Sequence, residues 1–220
     1  NALNGNMSPV QAFLWTFTLT FSLGISMWKL LPSGLDNLRD REGFAIVSFS
    51  WVCISLIGAI PYYLTGVCPE FIDAFFESMS GFTTTGATIL RDKDPLPKGI
   101  LFWRNLTQWL GGMGIIMLSL AVFPALWIGS SHLFKAEVPG GAAVERVQPR
   151  LAETAKILWK VYLTLTAIEI LCLRLGGIGW FDAVCHTFST VATGGFSPHN
   201  ASISAFNSLY VECVVMFFMF

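Results

Sequence analysis

Charge is the first thing this sequence has little of. Its 220 residues include 13 Lys and Arg and 14 Asp and Glu, 12% in all, against roughly 25% in an ordinary soluble domain. The two signs nearly cancel, to a net −1, so there is no basic field to draw in a polynucleotide, and nucleic acid is excluded as a partner. Cysteine is sparse and scattered, at Cys53, Cys68, Cys172, Cys185 and Cys213, an odd set inside apolar runs that suggests neither a disulfide framework nor a paired metal site. Cys185, His186 and His199 lack a second ligand pair at zinc spacing. Ser80-Gly81 sits in no Gly-x-Ser-x-Gly frame and has no suitably placed histidine, so the chain is not read as an enzyme, and no cofactor motif is found. It begins at Asn1 without a charged leader and ends inside the apolar run Val211 to Phe220, which leads to the expectation of a fragment.

What is abundant is apolar. Hydrophobic residues make up 54%, with 19 Phe and 8 Trp, and the mean hydropathy is +0.62; this is the composition of a membrane protein, with the lipid bilayer as its solvent. Crossing about 30 Å of hydrocarbon takes about 20 helical residues. Four runs qualify: Val10 to Leu31, Phe44 to Thr65, Ile100 to Ile128 and Lys156 to Leu175. A fifth starts near Ala205. Phe71 to Phe82 and Trp180 to Val191 are too short to cross and read as re-entrant. Eight basic residues (Lys29, Arg39, Arg41, Lys135, Arg146, Arg150, Lys156, Lys160) fall on one side and five (Arg91, Lys93, Lys98, Arg104, Arg174) on the other. Positive-inside counting therefore places both short segments on the outer side.

The short segments repeat. Asp73-Ala74 through Thr83-Thr84-Thr85-Gly86-Ala87-Thr88 can be laid on Asp182-Ala183 through Ala192-Thr193-Gly194-Gly195-Phe196-Ser197, 109 positions later. From Asp to the first matched glycine the spacing is thirteen in one copy and twelve in the other, so pairing Gly86 with Gly194 asks the turn to absorb one residue. A short helix entering from outside, N-capped by Asp73 or Asp182, carries the negative end of its dipole toward mid-membrane. The small, hydroxyl-rich stretch that follows, with a glycine to permit unusual backbone angles, can turn carbonyl oxygens onto a dehydrated monovalent cation. A divalent ion would recruit carboxylates. Potassium fits best.

The pattern resembles the TrkH-type subunit of the Trk/Ktr/HKT superfamily of potassium transporters. The resemblance rests on Arg39-Asp40-Arg41-Glu42-Gly43-Phe44, the Asp73 to Thr88 stretch, Phe102-Trp103-Arg104, Gln108-Trp109-Leu110-Gly111-Gly112-Met113-Gly114-Ile115, Phe134 to Gly140, Glu153-Thr154-Ala155 and Trp180 to Ser197. It implies an all-α membrane fold of tandem helix, pore-loop, helix repeats of potassium-channel type with re-entrant pore helices. It further implies that backbone carbonyls of Thr84, Thr85, Ala192 and Thr193 hold K+, with Gly86 and Gly194 as filter glycines. The expected division is 1–38, an N-terminal helix and loop; 39–130, the first repeat; 131–155, a cytoplasmic linker; and 156–220, a second repeat truncated in its last helix. Implied partners are the remaining repeats of a longer chain, a second copy in a homodimer, and a cytosolic nucleotide-binding regulatory subunit meeting Lys135 and Arg146. The implied location is the bacterial cytoplasmic (inner) membrane, crossed several times.

Other residues read more plainly. Gly111, Gly112 and Gly114 are expected to be packing glycines rather than a hinge. Arg104 is expected to pair with Glu77 or Asp73 and fix the short helix, Arg174 to snorkel outward, and Glu169 to pair structurally with a neighbouring helix. Asn200-Ala201-Ser202 is formally a glycosylation sequon, with a capping role for Asn200 as the default. The alternative function is a secondary transporter whose broken helices bind an ion or small solute near mid-membrane.

Overall fold

The computed structural model describes residues 7–30, 40–130 and 147–219. The side chains of 40–41, 119–130 and 147–152 are outside that description, as are Arg39, Lys135, Arg146 and the segment Phe134 to Gly140. Seven α-helices follow in order among these residues: α1 (Pro9–Leu30), α2 (Asp40–Leu64), α3 (Phe71–Phe82), α4 (Lys98–Ser130), α5 (Val147–Leu175), α6 (Trp180–Val191) and α7 (Leu209–Met219). A short 3₁₀ turn, Ser202–Phe206, precedes α7.

α1 starts where local chemistry says it should. The Gln11 amide donates to the Ser8 hydroxyl at 3.4 Å and the Ser8 amide to the Gln11 carboxamide at 3.3 Å, a reciprocal capping box, with Pro9 at the first helical position. Its outward face is almost entirely apolar: Leu14, Trp15, Phe17, Phe21, Met27 and Trp28 are all exposed. Along the same helix, the buried Thr16 and the more outward Thr18, Thr20, Ser22 and Ser26 each donate to a carbonyl three or four residues back, at 2.7–2.9 Å. Ser48 and Ser50 on α2 do the same. A hydroxyl that satisfies itself on its own helix asks nothing of the surroundings, which is what hydrocarbon requires.

Two helices, Pro9–Leu30 and Glu42–Leu64, are both long and apolar enough to cross a bilayer. α4 and α5, the other two expected spans, have the length, at 33 and 29 residues. α5 begins at Val147, so the end of the expected linker, 147–155, is helical. Pro149 falls in the first turn, where no backbone donor is needed. The expected fifth span also starts later. The 3₁₀ turn ends at Asn207, in the left-handed region with φ 45°, and only then does α7 begin; a small polar residue tolerates that break.

The short helices occupy the interior. α3 packs between α2 and α4, where Ala59, Tyr62, Cys68, Ala74 and Ile100 form one apolar cluster. α6 packs against α4, α5 and α7, with a second cluster of Leu173, Ile178, Ala183, Val211 and Val215. α4 thus touches both. It runs unbroken through Gly111, Gly112 and Gly114, and a Cβ at each would press, respectively, on the Phe82 carbonyl, on Ala192 and the Tyr162 hydroxyl, and on the Trp51 ring. These are packing glycines, as the sequence suggests. Two polar tips between α4 and α5 are paired: Trp109 Nε1 donates to Thr166 at 3.1 Å and the Tyr162 hydroxyl to the Trp109 carbonyl at 2.9 Å.

Cys68, in the turn between α2 and α3, is 1% exposed. Burial pushes its thiol up to about 12, and the nearby carboxylates of Glu77 and Asp73 add to the rise. Because the thiolate is the reactive form, a maleimide added at pH 7–9 is expected to leave Cys68 unmodified in the folded protein and to label it after denaturation. Rapid labelling at Cys68, read by peptide mass spectrometry, would show that this turn is not packed as described.

Candidate functional site

The C-terminal ends of α3 and α6 lead into two turns built to the same plan. After α3, the Thr84 amide donates to the Gly81 carbonyl and the Thr85 amide to the Ser80 carbonyl, both at 3.0 Å. After α6, the Thr193 amide donates to Thr190 and the Gly194 amide to Ser189, both at 2.8 Å. Each pair is a Schellman closure. Its left-handed position is Thr84 (φ 53°) in one turn and Thr193 (φ 50°) in the other. Glycine is the usual occupant. A β-branched residue there costs about 1–2 kcal/mol, and such strain collects at functional sites. Two residues on, Gly86 (φ 75°) and Gly195 (φ 83°) again have positive φ.

These bonds fix the register between the copies, and it differs from the expected one. Thr84 matches Thr193, Thr85 matches Gly194, and Gly86 matches Gly195, all 109 positions apart with no gap. Gly194 is therefore the counterpart of Thr85, not of Gly86. Ala192 matches Thr83, and each is the C-cap residue of its short helix. The N-caps also need correction. They are Glu70 and Gly179, neither making a side-chain cap, while Asp73 and Asp182 lie in the first turn, at its third position. An acid there still complements the positive helix end. Asp182 is also engaged by His199, whose Nε2 lies 3.0 Å from its Oδ1.

The first turn is tied to its own helix. The Ser80 hydroxyl donates to the Ala87 carbonyl at 2.6 Å. The Thr88 hydroxyl lies 2.9 and 3.1 Å from the two oxygens of Glu77, and the Ile89 amide donates to the same carboxylate at 3.2 Å. Arg104, on α4, completes the arrangement: its Nε is 2.5 Å from Glu77 Oε1, and both side chains are buried. Of the two expected partners, the structure selects Glu77.

Arg104 also reaches the other turn. Its Nη1 donates to the Ser197 carbonyl at 3.1 Å, and its guanidinium lies 3.7 Å from the centroid of the Phe196 ring. One turn further along α4, the Gln108 Oε1 accepts from the Phe196 amide at 3.0 Å. Where the turns meet, a Cβ on Gly86 would collide with the Gly194 carbonyl oxygen, and a Cβ on Gly194 would collide with the Gln108 carboxamide. Backbone thus approaches backbone at the point where both short helices end.

Further out, Asn200 joins the two connecting segments instead of capping a turn. Its Nδ2 donates to Asp92 at 2.7 Å and Asp94 at 2.8 Å, and its Oδ1 accepts from the Lys93 amide at 2.8 Å. Burial, ahead of the nearby Arg104 charge, holds the Lys93 ammonium below its usual range. His186 stacks near His199 at 6.4 Å and meets Phe206 edge-on at 5.3 Å. Arg174 donates to the Ile178 carbonyl and covers the Trp180 ring at 4.7 Å. Glu169 is buried near Thr190, with no ion pair among the described residues.

A family profile described as TrkH, cation transport protein, matches residues 9–220. The Trk system potassium uptake protein TrkH of Halomonas elongata is 43% identical over 210 residues, covering 95% of this chain and 44% of that protein. The Escherichia coli K12 TrkH gives the same figures, and the Trk system potassium uptake protein TrkG of that strain is 42% identical over 203 residues, covering 92% of this chain and 42% of its own. The crystal structure of the potassium transporter TrkH from Vibrio parahaemolyticus superposes with a TM-score of 0.82 at 39% identity, over 99% of this chain and 43% of that one. This chain therefore spans less than half the length of these relatives. Its sequence and its helical structure agree on one assignment: the chain belongs to the TrkH family of cation transport proteins.

Proposed function

We propose that this chain contributes two pore loops to a potassium uptake pathway, with sodium as the competing ion. The unit is helix, re-entrant helix and loop, helix: 39–130 for the first and 156–220 for the second, joined by 131–155, with 1–38 leading in. In our reading, supported by the matched register of the turns, Thr84 and Thr85 in one loop and Thr193 and Gly194 in the other are the carbonyl donors to K+. Ala192, at the C-cap of its helix, leaves that set; Gly86 and Gly195 are the glycines of matching backbone conformation.

The observation that carries this reading is the meeting of the two turns at the C-terminal ends of their helices, backbone against backbone. Helix C-termini present carbonyls and partial negative charge, which suit a cation, whereas an anion carrier turns N-terminal ends toward its substrate. Four loops around an axis complete such a filter, so the remaining repeats of the longer chain are required partners. The resemblance adds a homodimer and a cytosolic nucleotide-binding ring, placed in a bacterial inner membrane crossed several times.

The test is uptake in bacteria that lack their own high-capacity potassium systems. The full-length protein is expected to restore growth at low external potassium and to carry Rb+ inward, with sodium competing weakly. Failure of a membrane-inserted, full-length protein to carry either ion would refute the reading.

A further inference from the structure

Gln108 is fully buried in the third turn of α4, a helix of the first unit, yet its side chain serves the second. Its Oε1 is the acceptor for the Phe196 amide, and the carboxamide lies flat against Gly194, close enough that a Cβ there would overlap its Cδ, Oε1 and Nε2. Gly194 does not have a positive φ, unlike Gly86 and Gly195. Backbone conformation therefore does not demand a glycine at 194; the neighbour does. The Nε2 group has no hydrogen-bond partner among the described residues, so placement of this amide comes from the single bond it accepts and from close packing. The position 109 residues later is Phe217, which has no polar group to offer.

We propose that Gln108 is a specificity-determining positioning residue. From the first unit, it sets the distance of the Gly194 carbonyl from the ion path by filling the space behind Gly194 and anchoring Phe196. This rests on the filter reading above. It goes beyond that reading by making the second loop's geometry depend on a side chain of the first unit. Moving a coordinating carbonyl by a fraction of an ångström changes the cage that replaces the ion's hydration shell, so Gln108 acts on ion preference without touching the ion.

The experiment uses the full-length protein and the ratio of Rb+ to Na+ uptake, normalised to membrane-inserted protein. Gln108→Leu, which keeps bulk and loses the acceptor, is expected to lower the ratio roughly tenfold. Gly194→Ala alone is expected to lower it by a similar factor. Added to Gln108→Ala, where the space behind residue 194 has been emptied, the same Gly194→Ala change is expected to alter the ratio by no more than about twofold, because contacting residues are not additive. A Gln108→Leu protein with an unchanged ratio, or a Gly194→Ala effect as large in the Gln108→Ala background as in the parent, overturns the assignment. Gly86→Ser, measured beside them, separates the two claims: a changed ratio there with no effect at Gln108 leaves the filter reading standing and removes only this one.

Discussion

Gly86→Ser in the full-length protein is expected to abolish the preference for potassium over sodium, or to abolish uptake altogether. Two physical effects act together. At φ 75° an L side chain costs about 1–2 kcal/mol, and its Cβ would run into the Gly194 carbonyl oxygen. A backbone oxygen has no rotamer by which to withdraw, so the loops must separate. Overpacking of this kind costs typically 1–3 kcal/mol, and here it falls on groups proposed to coordinate the ion. The measurement is Rb+ and Na+ uptake at matched expression. An unchanged ratio would mean that the meeting point of the turns is not where ions are chosen.

Truncating Glu77 to Ala is expected to destabilise the protein most. Glu77 receives Arg104, the Thr88 hydroxyl and the Ile89 amide, and is itself fully buried. Removing one partner of a buried ion pair costs about 3–5 kcal/mol, mostly because the other charge is left uncompensated. Arg104 would keep only the Ser197 carbonyl and the Phe196 ring. A sharp fall in folded protein and in melting temperature is therefore expected, with Glu77→Gln intermediate because the hydrogen bonds of Thr88 and Ile89 can still be accepted. Fluorescence-detected thermal unfolding of detergent-solubilised protein reads this directly. A Glu77→Ala protein as stable as its parent would show that the pair contributes nothing. Since Arg104 spans both turns, the same variant is also expected to loosen the second loop, although Glu77 belongs to the first.

How much of this was legible in the residues can be judged element by element. The bounds of α3 and α6, Phe71–Phe82 and Trp180–Val191, match the sequence reading because each is an apolar run closed by a Thr and Gly turn. Their burial was also legible: twelve residues rise about 18 Å, too short to cross a bilayer. The turn register was misread because Gly194-Gly195 offers two partners for Gly86, and matching the first glycine after threonine forces a gap. Thr84 on Thr193, Gly86 on Gly195 and Thr88 on Ser197 fall into line without one, at the same 109-residue offset as Asp73 and Asp182.

The capping assignment failed for a different reason. Asp73 and Asp182 look like N-caps, but Phe71-Ile72 and Trp180-Phe181 are already helical, although Phe71, Ile72 and Trp180 are exposed and no burial requires the extra half turn. Gln108 was given no role of its own, and Asn200, expected to cap a turn, bridges the two connecting segments instead. Their partners lie 88 to 108 positions away, and a contact of that separation leaves no periodicity or local motif. Arg104 was half legible: a buried charge predicts a partner, and Glu77 was one of two candidates, but its reach to Ser197 depends on how the two units meet.

The most direct test of the account is to locate the ion. Crystals of the full-length protein grown in rubidium, with diffraction recorded at the rubidium absorption edge, are predicted to show an anomalous peak on the path between the turns, ringed by the main-chain oxygens of Thr84, Thr85, Thr193 and Gly194. A peak held instead by side-chain carboxylates, or carbonyls of these four residues turned away from any shared path, would contradict it.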